Sequence, residues 1–398
     1  MDSADTKPDI PLVAMTVPGL LLVSLFLNHA FAARSTILFL IGAGLGVTLF
    51  HASFGFAGGW RQFVRKQHGA AIRAQLLLLA GTSLLFFPVL GSVFPQIHAN
   101  GAFGPVSVSV LVGAFMFGVG MQLGGGCGSG TLFTVGGGHV RMLITLAFFV
   151  VGTVVGSAHL PWWLALPNMG KVSLIETFGW LPALVLQALV LGVLYLVVAR
   201  MERRRHGRLD SLGDAPQVRS LGRRLVFGPW PLGWGIAGLA LLGLVTLLVA
   251  GHPWSITFAF GLWGTKIWSA LGGDISGWSY WSSGYPAAAL NRSVLADTTS
   301  LMNFGIIMGA VLAAGLAGRF APPSRLKLNG VLTAILGGLL LGYGARLAFG
   351  CNIGGMLAGI ASGSLHGWLW LFAGFIGTLW GVRLRTLFGM DPPAGERP

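Results

Sequence analysis

With 398 residues, 54% of them hydrophobic and 9% charged, and a mean hydropathy of +0.77, the chain has too few ions to cover a soluble globular surface. Its net charge of +14 comes from arginines in short loops between apolar stretches, with no aromatic-basic ribbon, so nucleic acid is excluded as a partner and a lipid bilayer is implied. No Walker motif, dinucleotide fingerprint or HExxH pattern occurs, which argues against ATP-driven transport by this chain alone and against metalloprotease chemistry; no cofactor and no metal are expected.

In chain order, apolar stretches recur at Val17 to Ala33, Ala74 to Gly91, Leu143 to Trp163, Leu181 to Ala199, Pro231 to Ala250 and Leu365 to Leu387. Each has the length a helix needs to cross about 30 Å of hydrocarbon. Helices satisfy their own backbone groups in lipid, and the alternating ten-residue segments of a barrel are absent, so the fold class is an all-α polytopic membrane protein. The flank before the first stretch mixes Asp2, Asp5 and Asp9 with Lys7, which does not suit a signal peptide, so this segment reads as a retained helix.

The one long hydrophilic interruption runs from Arg200 to Arg224 and splits the chain. The expected units are a first membrane repeat over 1–199, an arginine-rich cytoplasmic linker over 200–228 and a second membrane repeat over 229–398. The stretch GVGMQLGGGCGSGTLFTVGGG from Gly118 resembles GYGARLAFGCNIGGMLAGIAS from Gly342, with Cys127 matching Cys351. Further on, Gly152, Thr153 and Gly156 match Gly377, Thr378 and Gly381. Internal repeats in membrane proteins commonly place a solute site where the copies meet.

Basic residues set the orientation. The linker, Arg61, Arg65, Lys66 and Arg73, and also Arg319, Arg325 and Lys327, are assigned to the cytoplasm. These basic loops do not correspond within the repeat, which predicts copies inserted upside down relative to each other. The Cys127 segment then enters from the cytoplasmic side and the Cys351 segment from outside. Residues 230 to 298 must cross an odd number of times, through a region broken by Gly272, Gly273, Asp274, Gly277 and Gly284.

The cysteine segments are poor spanning helices. Gly124, Gly125, Gly126, Gly128 and Gly130 crowd Cys127, and Gly350, Gly354 and Gly355 surround Cys351; each glycine costs about 1 kcal/mol against alanine in a helix interior. Non-helical backbone survives at membrane depth only where protein buries it or a cavity borders it. The expectation is a pseudo-two-fold inverted repeat whose glycine-rich re-entrant loops meet near the membrane centre and turn helix N-termini toward an anion. Close helix packing through small residues is the bland alternative for the glycines.

Two cysteines cannot staple a fold, and a thiol's soft sulfur suits a solute that itself carries sulfur or selenium. A metal site would need more ligands at short spacing. His139 and His366 follow the two segments without aligning and read as interfacial or packing residues. Arg346 and its repeat partner Gln122 read as polar guides to the site, with snorkelling at a helix end as the simple alternative for Arg346. Trp162, Trp163, Trp230, Trp234, Trp368 and Trp370 read as interfacial anchors, and Glu176, Asp274 and Asp297 as loop carboxylates with a proton-coupling role as the sharper alternative.

The duplicated motifs, GMQLGGGCGSGTL and GARLAFGCNIGGMLAGIASGSLHGWL, resemble the YeeE/YedE family of sulfur-transport membrane proteins over both halves. The resemblance implies an hourglass-like, pseudo-symmetric protein of the bacterial inner membrane that passes thiosulfate along cysteines through S–H···S hydrogen bonds without covalent chemistry. It makes Cys127 and Cys351 the relay thiols, with Gly125, Gly126, Gly128, Gly350, Asn352, Gln122 and Arg346 around them. Thiosulfate-type members also carry a cysteine in an N-terminal glycine-aromatic motif; here the matching stretch from His51 to Gln62 has Phe or Ala there, and His51 is the candidate replacement. Transport of a selenium or other reduced sulfur compound, a membrane-bound sulfur or selenium transfer enzyme using a cysteine persulfide, and a purely structural subunit stand as alternatives. A cytoplasmic sulfur-carrier protein docking at the linker is the further partner considered.

Overall fold

A computed structural model of the chain describes residues 7–213, 220–322 and 326–391. Asp2 and Asp5 of the N-terminal flank and Arg325 lie outside the described residues, as do 214–219 of the linker. Helices dominate: α1 (Ile10–Ala30), α2 (Ala33–His51), α3 (Phe56–Lys66), α4 (Ala70–Leu90), α5 (Val108–Gly124), α6 (Gly128–Gly136), α7 (Val140–Leu164), α8 (Leu174–Phe178) and α9 (Trp180–His206). There follow α10 (Leu221–Phe227), α11 (Leu232–Ala250), α12 (Thr257–Ala270), α13 (Gly284–Leu290), α14 (Thr298–Ala317), α15 (Leu328–Leu347), α16 (Ala358–Ala361) and α17 (Leu365–Leu387). Among the described residues, ten helical segments are long and apolar enough to cross a membrane, as expected of an all-α polytopic protein. Between residues 230 and 298 one such segment occurs, α11.

The sequence did not signal the small antiparallel ribbon between β1 (Pro105–Ser107) and β2 (Asn168–Lys171), beside which Ser173 bridges to Ser364. The ribbon ties the start of α5 to the segment that leads out of α7.

Lipid tails are as apolar as leucine, so helix association here depends on close packing rather than on the hydrophobic effect. Glycines permit that approach along the four central pairs. The axes of α5 and α15 run antiparallel: Gly113 faces Gly344 and Leu347, and Gly120 faces Gly337 and Leu341. Parallel to α15 lies α7, with Gly152 against Leu339 and Gly156 against Tyr343 and Arg346. Parallel to α5 lies α17, with Gly377 against Phe115 and Gly118. The fourth pair is α2 with α14, where Gly46 meets the Ile306 carbonyl and Gly309 that of Ala43. Around this core α1 packs on α14, and α9 packs on α4.

At the arginine-rich end, α9 continues as helix through Arg200, Arg203, Arg204, Arg205 and His206, so the first part of the linker is an exposed basic helix end. Glu202 on that turn is fully buried and accepts from Arg73 at the start of α4, at 2.9 and 3.0 Å. His68 pairs with Asp210 at 2.8 Å and stacks on His206. These contacts pin the entry to the linker against the α3–α4 turn.

Candidate functional site: two capped thiols

Each cysteine stands where a helix has ended and another begins. α5 stops at Gly124, Gly125 takes a φ of +91°, and Cys127 becomes the N-cap of α6. α15 stops at Leu347, Phe349 and Gly350 take φ of +58° and +147°, and Cys351 becomes the N-cap of a π-helical turn (Asn352–Leu357) that runs into α16. Such backbone favours glycine, which explains Gly125 and Gly350. The two cysteines have almost the same backbone, φ/ψ −85/−167° and −87/−167°. Each sulfur accepts from an amide of the turn that follows: Gly130 N–H, three residues on, donates to Cys127 Sγ at 3.4 Å, and Ile353 N–H, two residues on, to Cys351 Sγ at 3.4 Å.

Both thiols are completely buried, and they are neighbours. A Cβ built on Gly128 would lie 2.9 Å from Cys351 Sγ and 3.6 Å from a methyl of Ile256. Cys351 therefore sits on the bare backbone that follows Cys127. Gly126 is hemmed by Met142 and the Thr131 amide. Among the described residues, buried Asn352 has no partner for its Oδ1 or its Nδ2, and Asn303 of α14 donates to the Ile256 carbonyl at 3.0 Å but has none for its own Oδ1. Among the described residues the hydrogen-bond partners of the sulfurs are Ser129, the Gly130 amide and the Ile353 amide, none of them a base or a cation.

The broken helix ends need partners for their last carbonyls. Arg141 donates to the carbonyls of Gly124 (3.0 Å) and Leu123 (2.6 Å), and Arg385 to that of Gln122 (2.7 Å). Two cations at one helix C-terminus also suit its dipole. On the other side Trp370 Nε1 donates to the Gly350 carbonyl at 3.0 Å, and Ser109 to that of Leu347 at 2.9 Å. Thr145 donates to Gly124 as well, at 3.1 Å.

The flanking and histidine expectations fare differently. Gln122 and Arg346 lie on the last turns of α5 and α15, at the ends that lead to the cysteines; Gln122 Nε2 donates to the Ala57 carbonyl at 3.1 Å. His51 is not brought to the thiols. It ends α2, where its ring packs at a tilt against Trp230 (5.4 Å between centroids) and its carbonyl accepts from the Trp230 amide. His366 is a packing residue, bonded to Ser364 and the Gly104 amide. Trp370 is not an interfacial anchor but 0% exposed and a support of the cysteine loop. Asp297 is no loop carboxylate either: it is buried as the N-cap of α14, accepting from Tyr285 and Ser300, while Glu176 and Asp274 are exposed. Arg141, Arg385 and Asn303 were not singled out from the sequence, and Trp370 was given another role; the signal available there was Arg385, a cation inside the apolar stretch Leu365 to Leu387.

Residues 51–380, the stretch that contains both capped thiols, match the family described as Sulphur transport. The chain belongs to the sulphur transport family. Its relatives include the thiosulfate transporter TsuA of Spirochaeta thermophila, 27% identical over 83% of this chain and 92% of that protein. The thiosulfate transporter TsuA of Escherichia coli is 26% identical over 83% of this chain and 88% of its own length. The probable transporter YedE of Escherichia coli is 32% identical over 35% of this chain and 34% of its own. Family membership and ten candidate spans together make this a multi-pass membrane protein of sulfur transport.

Proposed function

We propose that the chain imports a small sulfur-containing anion, thiosulfate, across the bacterial inner membrane as a permease rather than an enzyme. The observation that carries this reading is the approach of two buried, amide-capped thiols on paired glycine loops. A thiol S–H is a weak donor on a polarizable atom. The terminal sulfur of thiosulfate is a soft acceptor that can take a hydrogen bond from one thiol and then from the next, with no bond formed or broken in the protein. The lack of a base or cation bonded to either sulfur, among the described residues, supports hydrogen bonding over nucleophilic attack. Asn352, with both amide atoms buried and without a partner among the described residues, suits a polar solute beside Cys351.

The proposed architecture is an inverted repeat with re-entrant cysteine loops. Its support is the antiparallel course of α5 and α15 together with the exchange of partners, α7 with α15 and α17 with α5. Gly118 packs against Gly374 and Gly377 as its motif partner Gly342 packs against Phe149 and Gly152. The last turn of α5 lies opposite Gly337, while that of α15 lies opposite Gly113, so the two helices end at different depths. For Cys351 to rest on Gly128, the loops must turn back toward each other. The packing of α1 on α14 and of α9 on α4 supports counting α9 with the second copy, which moves the proposed division from the expected linker at 200–228 to 165–179.

The test is uptake of labelled thiosulfate, with sulfate and selenite as comparators, in cells lacking their own importers. Wild type is expected to import thiosulfate, and Cys127→Ser and Cys351→Ser to lose it at unchanged abundance in the membrane. Full uptake by both variants overturns the relay.

A further inference from the structure

The thiols explain how the soft end of the solute is handled, but not how the chain takes hold of the oxygens at the other end. Arg346 stands on the last turn of α15, on the helix whose following loop carries Cys351, and it is 8% exposed. Its guanidinium is turned into the protein. Its guanidinium carbon lies 4.1 Å from the centre of the Tyr280 ring and 5.7 Å from that of Trp281, both on the segment between α12 and α13. Its stem passes Gly156 of α7, and Nη2 fits against Gly261 of α12, where any Cβ would overlap it. Two glycines and two aromatic rings thus make a slot for one planar cation.

What the slot lacks is an acceptor. Among the described residues, Arg346 Nε and Nη2 are buried with no hydrogen-bond partner, and the indole N–H of the buried Trp281 has none either. Nε and Nη2 form the edge of a guanidinium that binds two oxygens side by side. The carboxylates of the same region are occupied elsewhere, Asp297 by Tyr285 and Ser300, and Asp274 by Ser276. At the matching place in the other half stands a neutral side chain, Gln122, whose amide is bonded to a backbone carbonyl. At this repeat position the charge is therefore on the Cys351 side, and the cations at the end of α5, Arg141 and Arg385, are bonded to backbone carbonyls.

We propose that Arg346, held between Tyr280 and Trp281, is the oxyanion-binding residue of the pathway, taking two oxygens of a tetrahedral anion through Nε and Nη2. The inference rests on the transport reading for its physiological anion, and it adds that the SO₃ end is recognised separately from the sulfur that meets the thiols. Gly261 and Tyr280 act as positioning residues. A reduced species without oxygens, such as hydrosulfide, would gain nothing from this edge.

The test is equilibrium binding of labelled thiosulfate to the purified full chain in lipid nanodiscs, with sulfate and selenate as competitors. Loss of a charge-assisted bidentate contact is worth on the order of tenfold or more in affinity. Arg346→Gln is expected to weaken thiosulfate binding by that factor, and Arg346→Lys to recover only part, since an ammonium keeps the charge without the fork. Tyr280→Leu should weaken binding with the arginine still present, and Tyr280→Phe should restore most of it, a pattern that general misfolding would not produce. Sulfate, which offers oxygens but no terminal sulfur to the thiols, should lose competitive strength in Arg346→Gln by a similar factor. Unchanged affinity in Arg346→Gln, or a wild-type chain that binds none of the three oxyanions, overturns the proposal. Normal uptake by the cysteine variants alongside a weakened Arg346→Gln would overturn the thiol relay and leave the arginine site standing.

Discussion

Cys351 lies over the bare backbone of Gly128, so that a methyl group there would come within 2.9 Å of its sulfur and 3.2 Å of its Cβ. One residue from Cys127, glycine is what allows the second thiol to come close.

Gly128→Ala therefore separates the sulfurs without removing either. Overpacking of this kind costs about 1–3 kcal/mol, which a chain of this size should survive as a folded protein. Uptake of labelled thiosulfate is expected to fall by about tenfold or more, an amount that corresponds to a barrier increase of only about 1.4 kcal/mol. Uptake at the wild-type level, with the protein present in the membrane, would show that the approach of the thiols does not matter.

The Arg73–Glu202 pair makes a second prediction, on stability. Both side chains are buried, and Glu202 is entirely so. Removing one partner leaves an uncompensated buried charge, worth about 3–5 kcal/mol. Glu202→Gln should lower the thermal unfolding midpoint in detergent sharply, and a double replacement by apolar residues of similar volume should recover much of the loss. A single variant as stable as wild type would contradict the assignment.

Close approach of α17 to α5 has its own test. A Cβ on Gly377 would overlap the Phe115 carbonyl oxygen, and one on its motif partner Gly152 would overlap that of Leu339. Gly377→Val and Gly152→Val are both expected to destabilise by about 1–3 kcal/mol or more, read as reduced folded yield and a lower midpoint. If either valine is tolerated without loss, helix contact at that position is looser than described.

Acid sensitivity is expected at the end of α17. Hydrogen bonds from Arg385, at 2.6 and 2.9 Å, and the nearby charges of Arg65 and Arg61 hold the Asp391 carboxyl below the ordinary carboxylate value, against a smaller effect of burial. A depressed folded value means that the stabilisation is fully present above the unfolded value of about 3.9 and is lost as pH falls through the folded one. Wild type should exceed Asp391→Asn in midpoint temperature by a constant margin from neutral pH down to about 5, with the margin closing below about 4. A margin that does not change with pH would show that the carboxylate's charge contributes nothing.

Much of this could be read from composition and spacing. Long apolar stretches fix their own conformation in lipid because nothing else satisfies the backbone, and the breaks at Gly125 and Gly350 follow from runs of a residue that a spanning helix does not favour. The matched thiols and glycines were visible for the same reason, since a duplicated motif is a property of the chain alone. Arg346 and Gln122 were noticed as polar residues inside apolar runs, and the structure sets both on the last turns before the cysteine loops.

The tertiary structure alone decided which distant groups complete those features. Carbonyls orphaned at Gln122, Leu123 and Gly124 are met by Arg385 and Arg141, and the Gly350 carbonyl by Trp370, a residue whose type suggested the membrane surface. His51 was drawn away to Trp230, and Asp297 into a helix cap. Local sequence determines where a backbone must break and which groups are then left without partners. Which side chain reaches them depends on how helices cross, and that is set by glycine contacts between segments far apart in the chain, whose pairing no short window of sequence contains.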